Sequence, residues 1–403
     1  MKEKHSLLAW LMWLIAATFY ALDYFQHTAP SVLIEPIANS LNISLVTVGN
    51  IMSIYFPIYA IAQLPAGYLL DKFGIKYPLA IACLVVSLGL YMMIMPSQHM
   101  LIIGRILIAV GSSFAFIGAL KTASLWLPQS IFPIAVGMIN TIGVIGGMLG
   151  QALLNYMIID YDWKRATIYI SIFGIIIAAL ILIFLRSPNT CQKQFAVKFN
   201  KLTILKDKNI WLLAIYAGIM VGTVVNAFSE LYDVIFLENS FHISSEKAAI
   251  ISSMIFCGIA VGGPLHGIIA NYFKQKRTWM LTGCAMTIIL FAMIVFSAKI
   301  DFHVSLMFIL YFLTGFFVSS MLLSFSIARC CYSKQVHATI FALINTVIGL
   351  CGFIFQFLLG ESIEFISKHS DHHYDQHVFF MSFWILLIPL LFSLFMCYKT
   401  RRI

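Results

Sequence analysis

Charge is what this sequence has least of. Lys, Arg, Asp and Glu make up 10% of its 403 residues, against roughly 25% in an ordinary soluble domain. With 61% hydrophobic residues and a mean hydropathy of +0.94, the chain cannot cover a water-facing surface, which points to a membrane protein. A P-loop of the form GxxxxGK(S/T) is missing, which argues against ATP-driven work within this chain. HExxH and GxSxG are missing too, so nothing supports an intramembrane enzyme. The eight cysteines, Cys83, Cys191, Cys257, Cys284, Cys330, Cys331, Cys351 and Cys397, fall in apolar runs or in basic segments, and no disulfide framework is expected.

Long apolar runs are what is present. A bilayer core of about 30 Å takes about 20 mostly apolar residues per helix. Twelve such runs lie near 7–29, 46–70, 77–96, 101–123, 132–156, 167–185, 209–237, 248–271, 278–297, 304–327, 337–360 and 378–398. Their length argues against a transmembrane β-barrel, whose strands alternate over about 10 residues. The first run is too long, and too poor in a small-residue cleavage site, for a removed signal peptide, and is kept as a helix.

The net charge of +9 invites a nucleic-acid reading, but its distribution points to lipid. With both termini cytoplasmic, nineteen of the 25 Lys and Arg residues fall in segments on that side and five on the other, Arg105 being inside a run. That bias orients a multi-pass protein in the cytoplasmic (inner) membrane, with the bilayer and not nucleic acid as partner. No metal is expected: SKHSDHHYDQH, Ser367 to His377, puts His373 and His377 at i, i+4 beside Asp371 and Asp375, yet it reads as a solvated polar loop.

The basic stretch from Arg186 to Asn209 divides the chain at its midpoint. A bundle at 1–187, a linker at 188–208 and a second bundle at 209–403 follow. Setting residue n against n+200 pairs Ser53 with Ser253, Ala60 with Ala260, Gly67 with Gly267 and Lys76 with Lys276. A second register, offset by 205, pairs MINTIGVIGGMLGQ (Met138 to Gln151) with LINTVIGLCGFIFQ (Leu343 to Gln356): Asn140 with Asn345, Thr141 with Thr346, Gly147 with Gly352 and Gln151 with Gln356. Run two repeats as run eight, and run five as run eleven, so the expected fold class is all-α: twelve transmembrane helices in two pseudo-symmetric six-helix bundles. At 3.6 residues per turn Asn, Gly and Gln of each stripe share one helical face, as polar lining or as interhelical hydrogen-bond glue.

After run two the chain reads GYLLDKFGIKYP, Gly67 to Pro78. Gly67 permits close helix approach, Asp71 can pair with a basic group, and Gly74 permits a tight turn. Run four carries GRILIAVGSS with Arg105; DWKR, Asp162 to Arg165, precedes run six; run eight ends in Asn271 where the repeat of Asp71 would stand. Together these segments resemble the major facilitator superfamily over the whole chain. The resemblance implies an alternating-access transporter with Gly67, Asp71, Gly74 and Lys76 at a cytoplasmic gate, and with runs one, four, seven and ten lining a cavity. Gly146, Gly147 and Met148 stand where many drug/proton antiporters carry a Gly-Pro pair, so the antiporter signature is incomplete. Runs one and two look most like the branch that moves small organic solutes.

Ionisable residues at membrane depth cost at least about 2.5–3.5 kcal/mol each and mark pathways. Run one carries Tyr20, Tyr24 and His27 at 0, +4 and +7 with Asp23 beside them, and run seven carries Asn226, Glu230 and Asp233 in the same spacing. The resemblance puts Asp23 and Glu230 on opposite sides of the substrate path. A partly desolvated carboxylate takes up a proton more readily than one in water, which suits a proton carrier, and Arg105 could hold or release it. The candidate pathway is therefore Tyr20, Asp23, Tyr24, His27, Arg105, Asn140, Gln151, Asn226, Glu230, Asp233, His266, Asn345 and Gln356, with His266 also fitting a packing histidine.

The expected activity is proton-coupled import (symport) of a small polar metabolite such as an amino acid or carboxylate. No cofactor is expected, the proton gradient supplying the energy, and a monomer should suffice. Members handling organic anions often place an arginine in run one; Asp23 and His27 here argue against a purely anionic substrate. Proton-driven efflux of a drug-like or siderophore-like compound, and a receptor without net flux, remain the alternatives.

Overall fold

The computed structural model describes residues 7–186, 206–297, 303–368 and 376–400. Most of the linker 188–208, residues 369–375 of the histidine-rich stretch and the side chain of Gln151 lie outside the described residues. All regular structure among the described residues is helical. The chain forms two compact units: Met1–Phe132, Ile139–Phe199 and Tyr332–Leu343 make the first, and Pro133–Met138, Asn200–Cys331 and Ile344–Ile403 the second.

In the first unit α1 (Leu7–Thr28) is followed by α2 (Pro30–Leu41), α3 (Leu45–Ser53), α4 (Tyr55–Phe73), α5 (Lys76–Met93), α6 (Gln98–Ser112), α7 (Ala115–Trp126), α8 (Phe132–Tyr161) and α9 (Trp163–Phe184). The second unit holds α10 (Lys208–Val221), a π-helical segment Gly222–Tyr232, α11 (Asp233–Phe241), α12 (Ser245–Phe273), α13 (Lys276–Ser297) and α14 (Val304–Val318). A 3-10 turn at Ser319–Leu322 leads into α15 (Leu323–Cys331), and α16 (His337–Lys368) and α17 (Gln376–Lys399) close the chain.

Among the described residues eleven helical segments are long and apolar enough to cross a membrane, one fewer than the apolar runs. The difference is run two, which splits at Ile54 into α3 and α4, the latter diluted by Gln63, Asp71 and Lys72. Runs four, seven and ten are also interrupted, at Ser113–Phe114, by the π-helical segment and by the 3-10 turn, while run one is continuous to its end at Ala29 before Pro30. Irregular backbone at membrane depth is tolerated where it is covered by protein or lines a cavity, and the three interrupted runs are among the four expected to line one.

The repeat at offset 200 extends to the backbone. Asn42 and His242 both take φ 51°, Gly74 takes 81° and Lys274 takes 53°. Ser44 and Ser244 both cap the next helix, accepting from the backbone N–H of Thr47 and Lys247, as N-cap serines do. The repeat at offset 205 is a packing device. In the first unit a Cβ on Gly146 would meet the Ala21 Cα at 2.9 Å and one on Gly150 the Phe25 Cα at 2.9 Å, while Thr28 donates to the Gly147 carbonyl at 2.9 Å. In the second, a Cβ on Gly352 would meet Asn226 Cγ at 3.0 Å, and one on Gly222 the Gly352 nitrogen at 2.9 Å. The small faces of α8 and α16 thus seat the first span of each unit.

Close approach also fixes α5 on α6, where a Cβ on Gly89 would stand 2.7 Å from the Gly104 carbonyl and one on Gly104 2.6 Å from the Gly89 carbonyl. Overpacking of this kind costs about 1–3 kcal/mol. Gly89→Ala should accordingly lower the thermal unfolding midpoint in detergent, measured by tryptophan fluorescence; an unchanged midpoint would show that the two helices can part freely.

Candidate functional site

The first unit gathers an acid, a phenol and a guanidinium beneath an aromatic lining. Asp23, 3% exposed, accepts a hydrogen bond from the Tyr55 hydroxyl at 2.7 Å. Arg105 lies over the other side of that tyrosine, its Cζ 4.6 Å from the ring centroid, in cation–π contact. Its Nε donates to the Met52 carbonyl at 3.0 Å and its Nη1 to the Gln26 carbonyl at 3.4 Å. Asp23 and Arg105 form no direct ion pair; Tyr55 stands between them.

Two donors here are unspent. Arg105 Nη2 and Gln26 Nε2 are buried without a hydrogen-bond partner, and such groups cost free energy until an acceptor meets them. Above them Tyr24, His27 and Tyr59 are half-buried, with His27 stacked on Tyr24 at 5.7 Å and edge-on to Tyr55 at 5.7 Å. Tyr59 stacks on Tyr55 at 5.4 Å, and Tyr20 meets Tyr24 at 5.2 Å. The arrangement offers flat apolar faces beside donors that lack an acceptor and a carboxyl able to carry a proton.

The same unit contains a second charged cluster, at the turn between α4 and α5. Asp71 Oδ1 accepts from Lys121 Nζ at 2.6 Å and from the Ala338 backbone N–H at 3.2 Å. Its Oδ2 accepts from the Thr339 N–H at 2.8 Å and hydroxyl at 2.6 Å. Lys121 also donates to the Lys334 carbonyl. A carboxylate thus sits on the N-terminus of α16, where helix N–H groups are free and the dipole favours negative charge. A Cβ on Gly67 would stand 2.6 Å from Ala342 Cβ, so Gly67 is what lets α4 reach that terminus. Gly74 supplies the positive φ of 81°. Lys76 does not meet Asp71; it lies over the Tyr77 ring at 5.9 Å.

In the second unit Asn226 Nδ2 donates to Glu230 at 3.2 Å, and Gln356 Nε2 donates to the Asn226 carbonyl at 3.0 Å. Glu230 is exposed whereas Asp233, three residues on, is 1% exposed. His266 accepts at Nδ1 from Trp279 Nε1 at 2.7 Å, which leaves Nε2 as the donor to the Phe316 carbonyl at 2.7 Å. Both ring nitrogens are engaged within the packed interior, away from the Asn226–Glu230–Gln356 network. Asn140 and Asn345 are half-buried. Sequence reasoning overlooked Tyr55, Gln26 and the buried role of Lys121. The signals were there, as Gln26 lies between Asp23 and His27, Tyr55 and Tyr59 are at i, i+4, and Lys121 interrupts an apolar run.

The Major Facilitator Superfamily family model matches residues 13–356. The chain belongs to that superfamily. Its relatives are transporters, not enzymes, and it is a multi-pass membrane protein. It is similar to the "Uncharacterized transporter YybO" of Bacillus subtilis (strain 168), 27% identical over 41% of this chain and 39% of that one, so the match spans well under half of that relative. It is 24% identical to the "Galacturonate transporter" of Dickeya chrysanthemi over 66% of this chain and 84% of the other. The proton:xylose symporter XylE shares the fold with a TM-score of 0.72 at 13% identity, over 99% of this chain and 97% of that one.

Proposed function

We propose that this superfamily member is a secondary transporter that imports a sugar acid of the hexuronate type together with protons, by alternating access. The observation that carries the reading is the pair of buried donors without acceptors, Arg105 Nη2 and Gln26 Nε2, beside Asp23 and Tyr55. A carboxylate is the acceptor that a guanidinium fork meets best, and the pyranose ring finds stacking faces on Tyr24, His27 and Tyr59. The likeness to a galacturonate transporter supports the same class. Absence of a cation from run one, which argued against an anionic substrate, is offset because Arg105 reaches the run-one backbone from α6.

Asp23 is the proposed proton carrier. Tyr55 couples it to Arg105, so protonating the carboxyl changes what the guanidinium is held against and links proton and substrate. Glu230 with Asn226 and Gln356 is a proposed polar network of the pathway within the second unit. Gly67, Asp71 and Gly74, joined by Lys121, form the proposed gate latch. A single chain in the inner membrane with both termini cytoplasmic completes the proposal.

Uptake of labelled galacturonate into proteoliposomes, inside alkaline, tests it. Accumulation should be saturable, should collapse with a protonophore, and should be competed by sugar acids but not by galactose. Equal competition by the neutral sugar would overturn the sugar-acid assignment.

A further inference from the structure

The transport reading gives the coupling proton to Asp23 and leaves Asp233 unused. Asp233 opens α11 directly after the π-helical segment, a geometry frequent at functional sites. Its Oδ2 is buried without a hydrogen-bond partner. Ser229 and Ser252 flank its carboxyl, and Tyr311 of α14 lies within reach of its charge. The Ser229 and Tyr311 hydroxyl oxygens are also buried without a partner, in residues 5% and 0% exposed. Tyr311 stands against Phe228, ring centroids 5.8 Å apart, and Phe228 against Phe236 at 6.2 Å, so Tyr311 belongs to a buried aromatic cluster.

Among the described residues no Lys, Arg or His pairs with this carboxylate, the ion pairs being Lys121–Asp71 and Lys368–Glu364. The ionisable side chains on the elements packed against α11 include Glu230 and Tyr232 on the π-helical segment, Glu246, Lys247 and His266 on α12, and His377 on α17. Lys247 is exposed at the start of α12, and His266 is taken by Trp279 and Phe316. A bare buried carboxylate is costly unless something neutralises it. The side chains of Ser229, Ser252 and Tyr311 around it offer hydroxyl oxygens, the chemistry of hard cations, and one carboxylate balances one positive charge.

We propose that Asp233, with Ser229, Ser252 and Tyr311, forms a second cation site that holds one monovalent cation, a proton or Na+, separately from Asp23. A proton taken up on Oδ2 turns that oxygen into a donor for the unpartnered Ser229 oxygen. A Na+ ion takes Oδ2 and the hydroxyl oxygens as ligands. The coupling role rests on the transport reading, but the binding does not, so it is tested without substrate.

Infrared difference spectra of the purified protein in nanodiscs would be recorded for a pH step at fixed Na+ and for a choline-to-Na+ exchange at fixed pH. For a proton site, the wild type and Asp23→Asn show a protonated-carboxyl band that grows on acidification, and Asp233→Asn lacks it. For a Na+ site, the exchange shifts a carboxylate band that Asp233→Asn lacks. Tyr311→Phe keeps the carboxyl and displaces the midpoint of the same response, which guards against an Asn variant that fails to fold. Identical spectra in wild type and Asp233→Asn in both steps overturn the site. So does an Asp233 carboxyl that stays protonated throughout and ignores Na+. Because galacturonate is absent, failure of the sugar-acid reading leaves this outcome untouched.

Discussion

Asp23→Asn should abolish uphill, proton-driven accumulation while leaving counterflow of the substrate intact. The amide has the size of the carboxyl, and its oxygen can still accept from the Tyr55 hydroxyl, which now lies 2.7 Å from Asp23, so the local packing is kept. What it cannot do is gain and lose a proton. Uptake driven by a pH gradient and exchange of labelled for unlabelled galacturonate separate the two properties, the second needing only binding and the conformational change. Retained accumulation would move the coupling proton elsewhere, Asp233 and Glu230 being the remaining acids of the candidate pathway. Arg105→Lys gives the complementary result. A lysine keeps the charge but loses the fork that holds the Met52 and Gln26 carbonyls while presenting a further nitrogen. Removing one charge-assisted hydrogen bond costs about 1.5–3 kcal/mol, which is roughly a 10- to 150-fold rise in the half-saturating substrate concentration, with accumulation still proton-dependent.

The architecture was legible because its causes are local and repetitive. Bilayer thickness dictates run length, and the two offsets follow from matched segments, so Gly67 and Gly267, or Ser44 and Ser244, announce one another. Interruptions were harder to read. Pro30 marks the break after α1, but nothing in GTVVNAFSELY sets a π-helical segment apart from an ordinary helix in the sequence. The site was half-legible for a related reason. Acids such as Asp23 and Asp233 stand out in apolar runs because burying charge is costly, so the sequence draws attention to them. Tyr55 and Gln26 belong to residue types that occur throughout apolar helices, and only the fold reveals that one receives Asp23 and the other meets Arg105. The spacing of Asn226, Glu230 and Asp233 implied one face, whereas Glu230 is exposed and Asp233 is buried. A helix tightened or widened by a residue per turn no longer follows a 3.6 period, so the ruler itself failed at that segment.

Asp71→Ala should be the most damaging single change in the first unit. Four donors lose their acceptor at once: Lys121 Nζ, the backbone N–H groups of Ala338 and Thr339, and the Thr339 hydroxyl. Lys121 would keep a charge in a residue 4% exposed, and stranding one member of a buried pair costs about 3–5 kcal/mol. The double variant Asp71→Ala with Lys121→Met removes the stranded charge but not the unmet N–H groups, so it should recover part of the lost thermal stability and not all of it. Full recovery would mean the helix N-terminus contributes nothing, and no recovery would mean Lys121 is indifferent to Asp71. Asp71→Asn separates charge from hydrogen bonding more gently. Its oxygen still accepts from one N–H while its amide nitrogen opposes the other, so it should fall between wild type and Asp71→Ala. In transport the latch must open once per cycle if access alternates, and a ligand-independent contact that favours one state taxes the other by its whole free energy. Loosening it should therefore lower accumulation through a shifted resting population even where binding in counterflow survives, a pattern that Arg105→Lys, which weakens binding, does not produce.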